Sequence, residues 1–141
     1  MYKVAVVKCD SYDVSKVTQS LNRALDLLGG IDAFLPASTS PSGSILLKPN
    51  LLAGEPPEKA VTTHPSVMQA IASILLQKGC QVEMGDSPGL GTPLKTAIKS
   101  GLQPVYDLGV LPADFETVVE MNSPEGRVSR RLPTAAAVAG A

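Results

Sequence analysis

The chain alternates short apolar runs with longer segments in which apolar residues recur at helical spacing. Continuous apolar runs occur at 4–7, at 45–47 and around Val82, as is typical of strands buried on both faces. Between these runs, apolar residues recur every three or four positions over 14–28 and 65–78. The alternation of strands and helices implies right-handed crossover connections, and therefore a parallel sheet.

We therefore expect an α/β fold with three layers, in which a mostly parallel sheet carries helices on both faces. The predicted strands are 4–8, 44–48 and 81–85 in the centre of the sheet, with weaker ones at 115–121 and near Val128 at its edge. A third helix is predicted from Thr92 to Gly101, because Thr92-Pro93 is a typical helix start, and a short helix follows over 105–109. Residues 1–141 are interpreted as a single domain.

Three polar clusters follow the apolar runs or precede a helix. They are Lys48-Pro49-Asn50, Thr62-Thr63-His64-Pro65 and Asp86-Ser87-Pro88-Gly89. A parallel sheet would bring all three to its carboxyl edge, where open α/β sheets bind ligands. We therefore predict one site, with His64 and Asp86 as catalytic residues. The predicted ligand-binding residues are Lys48, Asn50, Thr62, Thr63, Ser87, Gly89 and Gly91.

Each of the charged or titratable residues also has a purely structural interpretation. An imidazole such as His64 can accept a proton, donate a hydrogen bond or bind a metal, but at this position it can also simply cap a helix. Lys48 can bind a phosphate or a carboxylate, or lie solvated at the sheet edge. Asp86 can act as a base or a metal ligand, or cap its turn. Lys8 and Asp10 are weaker candidates, since charges at strand ends are usually just solvated.

The segment 85–91 is a glycine-rich turn between a predicted strand and a predicted helix. Glycines allow close backbone approach, and amides near a helix N-terminus attract anions. The spacing matches neither the dinucleotide G-x-G-x-x-G pattern nor the P-loop, and no G-x-S-x-G elbow occurs. The sequence therefore predicts an anionic small molecule or a metal as ligand, and names no reaction.

Composition narrows the choice of partners and of location. A net charge of −1 gives no reason to expect nucleic acid, and no apolar run approaches the ~18 residues of a membrane span. The N-terminus has no signal-peptide architecture, and the two cysteines, Cys9 and Cys80, lie far apart. We therefore expect a cytoplasmic protein without nucleic-acid or membrane partners, and no cluster ligated by this chain alone.

The same clusters carry a family resemblance. The segments 46–52, 60–65 and 85–89, in that order, resemble the uncharacterised family called domain of unknown function 362, and 4–9 and 24–30 are similar too. The resemblance implies a prokaryotic cytoplasmic protein of unsettled activity. Longer relatives often carry a ferredoxin-type segment with two 4Fe–4S clusters, which implies a redox setting, but this chain lacks those cysteines.

Two hypotheses about function follow. In one, the protein is an enzyme or redox-associated protein that binds an anionic small molecule or metal. In the other, it is a non-catalytic binding or electron-transfer accessory module of a 4Fe–4S protein.

Relatives usually continue beyond the equivalent of 135–141 into another strand, so we interpret the chain as the N-terminal part of a truncated domain. An open C-terminal sheet edge would also favour self-association.

Overall fold

The structure, a computed structural model, describes residues 3–35, 44–89 and 91–113. Its sheet has three strands: β1 (Ser44–Leu47), β2 (Gln81–Met84) and β3 (Leu111–Pro112). The strands lie in the order β1-β2-β3 and both pairs are parallel, with Ile45 opposite Val82 and Glu83 opposite Leu111. The α/β class and the parallel sheet are thus confirmed.

Four α-helices accompany the sheet in the described ranges. They are α1 (Val14–Leu27), α2 (Pro65–Gln77), α3 (Pro93–Lys99) and α4 (Gln103–Tyr106). The three longer ones agree with the helices predicted at 14–28, 65–78 and 92–101, and the short fourth begins slightly before the predicted 105–109. Helix α1 packs on α2, which in turn contacts β2 and α4. Helices on both faces of the sheet remain a prediction.

The prediction of a central strand at 4–8 is wrong for the described structure. This segment forms no strand, and the side chains of Val4 and Val6 are 84% and 89% exposed. Ala5 and Val7 are half-buried, and the segment lies beside α1, where the Ser20 hydroxyl donates to the Lys8 carbonyl at 3.5 Å. A continuous apolar run predicts burial but does not specify strand pairing, and here only alternate side chains are covered. The strands predicted at 115–121 and near Val128 lie outside the described residues.

The hydrophobic core lies between α2 and β2. Met68, Ala72 and Leu75 of α2 pack with Val82 and Met84 of β2. The core is completed by residues that flank the strands or lie in or beside the helices α3 and α4: Leu51, Cys80, Ala97, Leu102, Val105 and Val110. Since Leu51 is completely buried, the polar residues directly before it in the chain are held at a fixed position beside the sheet.

Candidate ligand site at the carboxyl edge of the sheet

The ends of β1 and β2 place Lys48 and Asp86 side by side. The Gly85 N–H donates to the Leu47 carbonyl at 3.1 Å, which extends the strand pairing one residue past β2. Directly beyond it, Lys48 Nζ lies 2.6 Å from Asp86 Oδ1. The Asp86 side chain is buried, whereas that of Lys48 is 64% exposed. A buried carboxylate therefore fixes an exposed ammonium group at the carboxyl edge.

Both oxygens of Asp86 are occupied by hydrogen-bond donors. The second oxygen, Oδ2, accepts from the Leu51 N–H at 3.0 Å. Burial by itself raises the pKa of the Asp86 carboxyl, but hydrogen bonds from the Lys48 ammonium and from the Leu51 and Ser87 N–H groups outweigh it, so the pKa lies below its usual value. Asp86 is therefore ionised at neutral pH, and it orients both Lys48 and the start of the following connection.

Asn50 joins the first polar cluster to the second. Its N–H donates to Thr63 Oγ1 at 2.9 Å, and its carbonyl accepts from the Thr63 N–H at 3.2 Å. Its side-chain amide donates to the Val61 carbonyl at 3.2 Å. Because the neighbouring residues Lys48 and Leu51 both contact Asp86, the segment 48–51 lies between the other two clusters and brings all three together.

Thr62 differs from its neighbour in the same cluster. Its Oγ1 is buried and has no hydrogen-bond partner among the described residues. A buried hydroxyl without a partner costs free energy relative to a paired one. Thr62 is therefore the member of this cluster whose hydrogen bonding the described residues leave incomplete.

His64 is the N-cap of α2, as its structural interpretation predicts. Its Nδ1 accepts from the Ser66 N–H at 3.2 Å and lies 2.9 Å from Ser66 Oγ. The imidazole also stacks on the ring of Tyr12, with centroids 3.7 Å apart and planes inclined by 14°. These contacts are with Ser66 and Tyr12 and not with Asp86, so the catalytic roles of His64 and Asp86 remain predictions.

The loop from β2 to α3 contacts the connection that follows β1. The Gly89 N–H donates to the Leu52 carbonyl at 3.2 Å, which ties this loop to the 49–62 connection. Gly91 has a φ of +85°, and a Cβ there would lie 3.1 Å from Thr96 Oγ1. A side chain at Gly91 would therefore be disfavoured both by the backbone and by its neighbour.

Tyr12 is the site residue that the sequence did not predict. No spacing rule relates position 12 to position 64, and the contact arises only because α1 packs against α2.

The described ranges contain no group of three or more His, Cys, Asp or Glu side chains that could hold a metal ion.

Comparison with known proteins identifies the family of this α/β domain. The sequence model described as Domain of unknown function (DUF362) matches residues 45–141, and the chain belongs to this family. The chain is also similar to a thylakoid-associated protein of Synechocystis sp., with 34% identity over 109 residues, or 77% of this chain and 33% of that protein. It thus spans about a third of the length of this curated relative. No solved structure is significantly similar.

The predicted resemblance to this family is thus confirmed, and the match covers all three polar clusters.

The helices were also compared with the requirements of a membrane span. In the described parts of the chain, no helix combines the length and the apolar character that crossing a bilayer requires.

Proposed function

We propose that this domain binds an anionic small molecule at the carboxyl edge of its sheet, with Lys48 as the residue that contacts the negative charge. The observation that carries the proposal is the Lys48–Asp86 ion pair, in which an exposed ammonium is held by a buried carboxylate. An ammonium has three donors, and Asp86 Oδ1 uses one of them. Because the lysine is already ordered, less conformational entropy is lost when it binds a ligand.

The other predicted ligand-binding residues surround this lysine with neutral polar groups. In the proposal, the Ser87 hydroxyl and the Asn50 amide hydrogen-bond to the anion, whereas the buried Thr62 hydroxyl has to become accessible before it can do so. The turn containing Gly89 and Gly91 lets the ligand approach the backbone closely. Thr63 acts indirectly, because its hydroxyl accepts from the Asn50 N–H and thereby holds the 48–51 segment.

The two predicted catalytic residues have different roles in this proposal. Asp86 is a positioning residue, since donors occupy both of its oxygens. His64 accepts a hydrogen bond at Nδ1 from the Ser66 N–H, so its neutral ring carries the proton on Nε2. That N–H can donate to a bound substrate, and His64 is the candidate for proton transfer in an enzyme.

The alternative is a non-catalytic binding or electron-transfer accessory module of a 4Fe–4S protein. It is supported by the occupied oxygens of Asp86, which leave this carboxylate poorly suited to accept a proton from a substrate. We retain four further features as proposals. They are a redox setting, a cytoplasmic location, a bound metal and self-association through the C-terminal edge. Ligand binding without turnover by the longest natural form of the protein would favour the accessory module.

Calorimetric titration with inorganic phosphate and with oxalate tests the binding proposal. The wild-type chain is compared with Lys48→Gln and with Lys59→Gln as the matched control. Lys59 is as exposed as Lys48, at 63%, and is also paired with a carboxylate, Glu55, at 3.2 Å. Loss of a charge-assisted contact of ~1.4 kcal/mol should weaken binding about tenfold in Lys48→Gln and leave Lys59→Gln unchanged.

Lys48→Gln leaves the carboxylate of Asp86 buried without its ammonium, so the variant must be shown to be folded by circular dichroism at the titration temperature. Lys48→Arg keeps the positive charge and should retain most of the affinity. The proposal fails if the wild-type chain binds neither anion, or if the Lys48→Gln and Lys59→Gln variants bind equally well.

A further inference from the structure

A concave site lined by none of the predicted ligand-binding residues lies beside α1. It is a groove of about 600 Å³ between the N-terminal segment, α1 and the first turn of α2. This volume is within the ~300–1,000 Å³ range of small-molecule sites. Tyr12 lines the groove and also stacks on His64, so it connects the groove to the residues described above.

The walls of the groove are mainly apolar. Six side chains supply this surface: Ala5, Val7, Val17, Leu21, Ala24 and Val67. They come from three separate segments of the chain, and the half-buried faces of the N-terminal segment and α1 meet there. An apolar molecule in the groove would cover surface that these segments leave partly open to water.

The polar end of the groove is suited to a cation. Asp10 lines it and forms no ion pair within the described ranges. Tyr12 has one ring face covered by His64, yet its side chain is 65% exposed, so the opposite face is open. Carboxylates and open aromatic faces both attract ammonium groups.

The other polar groups at this end already have partners within the chain. The Ser11 hydroxyl accepts from the Asp13 N–H at 3.0 Å, and the Ser20 hydroxyl donates to the Lys8 carbonyl. The Cys9 thiol donates to the Ser11 carbonyl at 3.2 Å. The Asp10 carboxylate is therefore the group at this end whose charge the chain leaves uncompensated in the described ranges.

We propose that this groove binds an organic cation, with an ammonium group held between Asp10 and Tyr12 and an apolar body along α1. The proposal is independent of the anion site at Lys48, since it depends on different residues and on the opposite charge. It assigns the groove to apolar amines, a class of ligands that differs from the anions proposed for the carboxyl edge of the sheet.

Benzylamine is a suitable probe, and benzyl alcohol is its neutral counterpart. Titrations followed by ¹³C-methyl NMR should show shifts of the Val7, Val17 and Leu21 signals with benzylamine. Asp10→Asn should weaken binding about threefold, as expected for an exposed charge pair. Asp26→Asn, which removes an exposed carboxylate of α1 that does not line the groove, should have no effect.

A groove-filling variant provides a test that does not alter charge. Ala24→Leu adds volume at a groove-lining helical position with little change in helix propensity, and it should abolish the benzylamine shifts while the chain remains folded. The proposal is overturned if benzylamine and benzyl alcohol bind equally well, or if Ala24→Leu leaves the shifts unchanged. Absence of benzylamine shifts in the wild-type chain would also overturn it, whatever the outcome of the phosphate titration at Lys48.

Discussion

The ammonium group of Lys48 and the carboxylate of Asp86, 2.6 Å apart, connect the residues that follow two neighbouring parallel strands. The same carboxylate accepts from the Leu51 N–H, which is buried. Asp86 thus stabilises the path of the chain after β1 and simultaneously fixes the exposed lysine. If the proposed anion site is correct, stability and ligand binding are therefore coupled at this residue.

We predict that Asp86→Ala lowers the free energy of unfolding by about 2–4 kcal/mol. The substitution removes a charged acceptor and leaves the buried Leu51 N–H without a partner, which is costly in a buried environment. Urea denaturation followed by circular dichroism measures the effect.

Asp32→Ala is the matched control for this prediction. Asp32 forms an ion pair with Lys78 at 2.7 Å, but both side chains are exposed. Exposed ion pairs contribute ~0–1 kcal/mol, so the urea midpoint of this variant should stay close to that of the wild type. Equal destabilisation by the two substitutions would show that burial of Asp86 does not increase its contribution to the free energy of unfolding.

The stability that Asp86 provides should disappear in acid. Its pKa is lower in the folded chain than in the unfolded chain, because the hydrogen bonds from Lys48 and the backbone outweigh the effect of burial. Its contribution is therefore complete above the unfolded-state pKa of ~4, and it is lost as the pH falls through the folded-state pKa. The difference in unfolding free energy between wild type and Asp86→Asn should shrink from pH 6 to pH 3.

Urea titrations of both proteins across this range measure that difference. Asp13 also has a lowered pKa, because the Ser15 hydroxyl and backbone N–H groups donate to it. Since Asp13 is present in both proteins, its effect cancels in the comparison. A difference that stays constant down to pH 3 would contradict the assignment of the acid sensitivity to Asp86.

Much of the fold could be predicted because hydrophobic periodicity directly reflects which faces are buried. The spacing of Val67, Ile71 and Ile74 is that of the helix in the structure, and the apolar run at 45–47 is β1. Parallel strands end at one edge, and this topology alone placed Lys48 close to Asp86.

Other features depend on tertiary contacts that leave no local pattern. The run at 4–7 has the composition of a buried strand, yet Val4 and Val6 are exposed, because composition does not specify which backbone a segment pairs with. The stacking of Tyr12 on His64 joins residues that directly precede α1 and α2, and these two helices meet through tertiary packing. The sequence also could not show that donors occupy both oxygens of Asp86.

That stacking gives a prediction for His64. Tyr12→Ala and His64→Ala should each destabilise the chain, and their effects should be less than additive by about 0.5–1.5 kcal/mol, the range for an aromatic pair in direct contact. A double-mutant cycle in urea measures this coupling energy. A coupling near zero would mean that the two rings do not interact in solution.

The capping role of His64 can be separated from the stacking. Asparagine is a favourable N-cap residue, so His64→Asn should retain about 1 kcal/mol of stability relative to His64→Ala. His64→Asn is therefore the suitable variant for activity assays, because it removes the imidazole while preserving the start of α2. If His64→Asn and His64→Ala are equally unstable, the hydrogen bond from Ser66 to Nδ1 does not stabilise the helix.

Two helix-terminating glycines provide a test of how the 49–62 connection is held in place. Gly79 after α2 and Gly101 after α3 have nearly the same φ, +80° and +78°. A Cβ at Gly79 would meet nothing within 4 Å, whereas one at Gly101 would lie 3.0 Å from Pro57 Cγ and 3.3 Å from Pro65 Cγ. Pro57 belongs to the connection that follows Asn50, and Pro65 begins α2, so Gly101 lies where these two segments meet α3.

Gly79→Ala should therefore destabilise the chain by about 1 kcal/mol, the cost of a left-handed backbone for alanine. Gly101→Ala should cost a further ~1–3 kcal/mol, because the proline rings are rigid and the segments must move apart. Urea denaturation of the two variants gives the difference. If the two substitutions cost the same, the prolines do not pack against Gly101 in solution. The 49–62 connection would then be held by the burial of Leu51 and by the hydrogen bonds of Asn50 and of the Leu52 carbonyl.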